Sequence, residues 1–149
     1  ALAAGSPVHV SSHVVPAGSR GTYGVESRTV PFGLAMSGDD VVTSEEFAAA
    51  APRVPLLVLA ACASGDGNAL DGASIRGLAQ VALDAGTRCA LLTQWPIADA
   101  SAYHASLAFH GALLSGSTPA EAARRVRNLL QGTGRPMAEW CAYRLAGDW

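Results

Sequence analysis

Cysteine and histidine have the widest chemical reach of the residue types in this chain, and they are few: Cys62, Cys89 and Cys141, with His9, His13, His104 and His110. A thiol becomes a strong nucleophile as its thiolate, and a nearby imidazole that takes the proton or holds it in an ion pair is the usual means. Cys62 follows Leu56-Leu57-Val58-Leu59-Ala60, a run that is apolar at every position, and His13 follows the short run Val8 to Ser11. If both runs are strands of one open parallel sheet, the loops leaving their carboxyl ends line a single crevice and the two side chains converge. Taken singly, each residue has a plainer reading. A free cysteine at the end of a core strand is commonly buried and inert, and a loop histidine is commonly solvated. The pair, together with the glycines that follow Cys62, points to a Cys–His dyad.

The remaining candidates carry less chemistry. Three cysteines without any C-x-x-C spacing give neither a disulfide framework nor a zinc signature, which leaves reduced thiols in a reducing compartment. His9 alternates with Val8 and Val10 and reads as a hydrogen-bonded structural histidine, while His104 and His110 point in different directions on a helix and do not share a metal. The loop Gly65-Asp66-Gly67 to Gly72 lacks the G-x-G-x-x-G spacing and any Gly-Lys-Ser/Thr, and its aspartates would repel phosphate. A calcium-loop reading fails at Leu70 and Gly77. Asp66 and Asp71 are turn residues or the wall of a pocket for a basic side chain; Trp95 is a core aromatic or a wall of the cleft. No metal and no organic cofactor is expected.

The elements that must position these residues follow from patterning. Ala1 to Gly5 reads as the last turn of a helix, which suggests a fragment or a trimmed chain. After the Val8–Ser11 strand comes a loop rich in Pro, Gly and Ser from His13 through Arg28. Phe32, Leu34 and Met36 alternate and Val41-Val42 returns, a hairpin. Thr43 with Glu46 is a capping box opening a short helix to Ala51. Leu56–Ala60 is the central parallel strand, since only a strand covered on both faces is apolar throughout. Leu78, Ala79, Ala82 and Leu83 lie at helical spacing before Gly86, and Cys89–Thr93 is the next buried strand. Asp99 caps a helix to Leu114, Thr118-Pro119-Ala120-Glu121 opens another to Leu130, and Ala142–Ala146 forms a final strand. Strands alternating with helices make an α/β domain.

The chain has 149 residues, half of them hydrophobic and 15% charged, which fits one globular domain over residues 1–149. Every basic residue is Arg, and the net charge is −2. Apart from Arg124, Arg125 and Arg127, the arginines are scattered, so no stripe tracks a phosphate backbone and nucleic acid is not an expected partner. No apolar run approaches the ~20 residues that cross a bilayer. A bacterial cytoplasmic location is the expectation.

His-Val-Ser-Ser-His13, a hairpin and a helix, then Leu57-Val58-Leu59-Ala60-Ala61-Cys62-Ala63-Ser64-Gly65-Asp66-Gly67 resembles the CHAT domain of the caspase and separase group of cysteine peptidases. The resemblance continues through Ile75-Arg76-Gly77-Leu78-Ala79, Gln94-Trp95-Pro96, Thr118-Pro119-Ala120-Glu121-Ala122 and Trp140-Cys141-Ala142-Tyr143. It implies a caspase-like three-layer sandwich around a mostly parallel six-stranded sheet whose N-terminal strands are lacking here. It also implies a cysteine endopeptidase acting on protein or peptide substrates, with His13 as base, Cys62 as nucleophile, and the main-chain amides of Val14 and Cys62 as oxyanion hole. The missing N-terminal part of the domain, or a helical-repeat regulatory region, is the implied partner. Two positions depart from the family pattern: Val14 stands where glycine usually follows the histidine, and Ala63 where an acidic residue is common. The alternative is therefore a catalytically inactive CHAT-like interaction module.

Overall fold

The computed structural model describes residues 6–16, 32–36, 40–43, 46, 47, 49, 53–61 and 72–148. The helix turn expected at Ala1–Gly5 and the loop holding Cys62, Asp66 and Asp71 lie outside these residues. Three strands run in parallel or alongside one another at the centre: β1 (Val8–Ser12), β5 (Leu57–Ala61) and β6 (Cys89–Thr93), with β7 (Tyr143–Gly147) completing the order β1-β5-β6-β7. β1 pairs with β5 and β5 with β6 in parallel, whereas β7 is antiparallel to β6.

The sheet is covered on both faces, as the uniformly apolar β5 requires, and β6 is buried at every position. On one side α1 (Gly72–Asp84) lays Leu78, Ala79 and Ala82 against Leu57, Leu59, Ala90 and Leu92. On the other, α2 (Asp99–Leu114) and α3 (Pro119–Gly132) pack Phe109, Ala112, Val126 and Leu130 onto Val58, Cys89 and Leu91. Successive strand residues thus feed alternate layers, giving a mixed α/β sandwich of three layers with a mostly parallel central sheet. Each fully buried leucine contributes about 1.5–3 kcal/mol of transfer free energy.

A separate three-stranded antiparallel sheet, β2 (Val14–Pro16), β3 (Phe32–Ala35) and β4 (Val41–Thr43), grows directly out of β1 at His13. Its β3–β4 half is the expected hairpin, with Leu34 opposite Val42. β2 was expected to be loop; instead it pairs with β3, Val14 opposite Leu34. Among the described residues the central sheet has four strands rather than six.

Helix ends follow local chemistry. The Thr118 hydroxyl accepts from the Glu121 N–H while the Glu121 carboxylate accepts from the Thr118 N–H at 2.8 Å. Thr43 and Glu46 repeat this reciprocal box. Asp99, in contrast, is not a cap: Ala98 holds the N-cap position with no side-chain bond, and Asp99 is the first helical residue, where its charge complements the helix dipole. α3 runs on to Gly132, and a further short helix, α4 (Met137–Trp140), precedes β7. Gly147 has a φ of 94°, and a Cβ there would overlap the Arg88 carbonyl oxygen, so this turn demands glycine.

Thr93 ends β6 at 2% exposure, and its Oγ1 has no hydrogen-bond partner among the described residues. It borders an apolar-walled cavity of about 20 Å³ between Val58, Ala60, Ala102, Phe109 and Tyr143. A buried hydroxyl without a partner is destabilising by about 1–3 kcal/mol. The near-isosteric Thr93→Val is therefore expected to raise stability by about 1 kcal/mol, read as a higher urea midpoint at unchanged slope.

Candidate active site

β1 and β5 end side by side, with Ser12 opposite Ala61 as the last pair of the register. Strands in a sheet lie about 4.8 Å apart, and the next Cα along each is about 3.8 Å further on. His13 and the chain that continues into Cys62 therefore leave from adjacent strand ends, at the carboxyl edge where parallel sheets gather their ligands. Cys62 itself, with Asp66 and Asp71, lies outside the described residues.

His13 is solvent-exposed at the junction between the two sheets. Its carbonyl accepts from the Ala35 N–H at 2.8 Å, and the Ser12 hydroxyl donates to the Ala35 carbonyl. These bonds fix the backbone on both sides of the imidazole to β3. Antiparallel pairs alternate between bonded and non-bonded, so the His13–Ala35 bond leaves Val14, opposite Leu34, in a non-bonded position with its N–H directed away from β3.

The other two thiols are placed differently. Cys89 begins β6, at the opposite end of the sheet from His13, and is 1% exposed. Burial, with a smaller contribution from the Asp148 charge, pushes its pKa up to about 11, so it stays protonated at neutral pH. Cys141 is half-buried beyond α4, with its carbonyl accepting from the Gln94 side chain. Neither adjoins the end of β1.

Trp95 follows β6 at the same edge of the sheet as His13. It is 36% exposed, and its indole N–H donates to the Ala138 carbonyl. The Gln94 N–H donates to the Ala142 carbonyl at 2.9 Å, and the Ser101 hydroxyl donates to the Glu139 carboxylate. The exit from β6 is thus bound to α4 and the start of β7, which gives the tryptophan a fixed seat on this side of the edge.

Sequence reasoning missed one histidine pairing. Nδ1 of His9, on β1, lies 2.9 Å from Nε2 of His110, on α2, with ring centroids 5.0 Å apart. One ring donates and the other accepts, so the bond needs a neutral pair at the least on one side. Loss of solvent around the ring, then the nearby His110, lowers the His9 pKa below 6.5. The unfolded chain consequently binds more protons than the folded one as pH falls through about 6.5, and stability is lost over that interval. Urea midpoints measured at pH 7.5 and 5.5 should fall in the wild type and fall less in His9→Gln. Among the described residues no cluster of three or more His, Cys, Asp or Glu could hold a metal ion, and no helix is long and apolar enough to cross a membrane.

The sequence matches the CHAT domain family over residues 3–148. The chain belongs to this family. CHAT domains are caspase-like modules related to cysteine peptidases, and the three-layer arrangement with its mostly parallel sheet agrees with that grouping. None of the curated proteins compared with the chain matches it.

Proposed function

We propose that this CHAT domain is a cysteine endopeptidase whose dyad is His13 and Cys62. The observation that supports the reading is the β1–β5 register, which ends both strands at the same level of the sheet, one residue before each member of the pair. In the reaction, His13 takes the Cys62 proton and the thiolate attacks the peptide carbonyl carbon, forming a C–S bond and an oxyanion. The N–H groups of Val14 and Cys62 stabilise that charge. Collapse breaks the C–N bond, His13 delivers the proton to the leaving amine, and an acyl-enzyme thioester remains. Water then attacks the thioester, giving its proton to His13, and the acid product leaves as the thiolate reforms.

Trp95 walls the substrate cleft from the β6 side in this reading, and Asp66 and Asp71 line a pocket for a basic side chain. The rest of the domain or a helical-repeat region regulates it, and a reducing bacterial cytoplasm keeps the thiol active. The valine after His13 and Ala63 after Cys62 favour the rival reading, an inactive interaction module. Iodoacetamide alkylation followed by peptide mass spectrometry separates the two. The peptidase predicts one thiol, Cys62, that reacts far faster than Cys141, with Cys89 slowest; three uniformly sluggish cysteines would sink it.

A further inference from the structure

His9 and His110 meet where β1, at the edge of the central sheet, passes α2. The two rings come from elements 101 residues apart in sequence, yet each is held from behind. β1 is registered on β5, which sets His9 opposite Val58. Val58 and Phe109 belong to one buried cluster, and the Phe109 ring meets the His110 imidazole edge-on at 5.8 Å. Sheet register on one side and an aromatic buttress on the other therefore aim the imidazoles at one another. His9 is exposed and His110 half-buried, so an ion reaches them from solvent.

That aim suits a metal. Nitrogens bound at ~2.0–2.1 Å stand ~2.9 Å apart at adjacent corners of a square or octahedron, and ~3.3 Å apart on a tetrahedron. Nδ1 of His9 and Nε2 of His110 are 2.9 Å apart. Ring centroids of such a pair lie ~4.5–5.2 Å apart across these geometries; here they are 5.0 Å apart. A swing about χ2, a soft torsion in histidine, turns both lone pairs onto one point. The proton that bridges the pair moves through water to the outward nitrogen of its own ring. Each imidazole is then a neutral ligand, and the pair as a whole loses no proton. Burial, then the neighbouring His110, lowers the His9 pKa, which keeps that ring neutral at pH 7.

We propose that His9 and His110 form a two-imidazole site for a divalent transition-metal ion, with water in the remaining coordination positions. The right-angled separation favours Ni²⁺ and Cu²⁺ over tetrahedral zinc. Among the described residues no cluster of three or more His, Cys, Asp or Glu could hold the ion, so the site stays open on its outer side. With half the protein ligands of a closed structural site, its dissociation constant is on the order of 10–100 µM. A bound ion would tie β1, the strand that leads into His13, to α2. The site shares no residue with the His13–Cys62 pair and stands or falls apart from it.

Isothermal titration of the 149-residue chain with nickel chloride tests this, because thiols do not reduce Ni²⁺. The wild type should bind one ion. His9→Gln and His110→Gln should each weaken that binding by about tenfold or more. His104→Gln, His13→Ala and Cys62→Ala should bind as the wild type does. In wild-type protein carrying isotope-labelled histidine, paramagnetic Ni²⁺ should broaden the ring signals of His9 and His110 before those of His13 and His104, a readout that requires no variant to fold. A wild type that binds no Ni²⁺ up to about 1 mM overturns the proposal. Binding that survives both glutamine substitutions does so too, as does broadening centred on His13, which would put the ion at the dyad.

Discussion

Peptide cleavage by the wild-type domain should disappear in Cys62→Ala, with kcat/KM lower by about 10⁴-fold or more, and His13→Ala should lose nearly as much. The physical ground is that nucleophile and base act as one unit. Without the imidazole the thiol is mostly protonated at pH 7, and without the thiol the imidazole has no proton to take. The double variant should therefore be no worse than either single one, an outcome that independent contributions would not give. His13→Ala spares the backbone bond to Ala35, which uses the His13 carbonyl, and a circular dichroism spectrum matching that of the wild type checks that the fold is kept. A fluorogenic peptide library, read under reducing conditions, measures the loss. Equal turnover by wild type and Cys62→Ala, or none by either, would remove the peptidase reading.

Phe109→Ala should be the most damaging substitution to stability among the described residues, at about 3–5 kcal/mol. Phe109 is 1% exposed and stands where α2 meets Val58 and Leu91 of the sheet. It also borders the existing cavity of about 20 Å³, so the space it vacates joins a void already present. Residual cavity volume raises the loss beyond the transfer free energy of the ring. Since a domain of this size has only about 5–15 kcal/mol in total, the variant should melt at least ~8 °C lower. Phe109→Leu, which keeps most of the volume, should lose well under half as much. Calorimetry or denaturant titration at neutral pH distinguishes the two.

Much of this fold was legible because its signals are local. Leu56–Ala60 announces a doubly covered strand by having no polar position, and Thr118 with Glu121 announces a helix start by chemistry that needs only four residues. β2 was not legible: Val14-Val15-Pro16 is three residues long, sits in a Pro- and Gly-rich stretch, and exists through pairing with β3. α4 is a single turn, too short for periodicity to register. The antiparallel sense of β7 depends on where the chain re-enters the sheet after α3, which no local pattern encodes. Asp99 misled because an acidic residue at a helix start serves as either cap or first-turn charge, and the sequence does not separate the two.

The candidate site divides in the same way. The residue types and their positions after two strands could be read directly, because a parallel sheet brings its strand ends together whatever the separation in sequence. The anchoring of His13 to Ala35, the seat of Trp95 on α4 and the meeting of His9 with His110 are long-range contacts. They became visible only with the tertiary arrangement.

The reversed direction of β7 has a practical use. Gly147 lies opposite Cys89, at the end of the sheet about 13 Å from the edge that carries His13 and Trp95. A biotin tag or fluorescent reporter joined beyond Asp148 would therefore emerge on the far side. On a sensor chip the captured molecules would turn the edge that carries His13 and Trp95 toward the flowing sample.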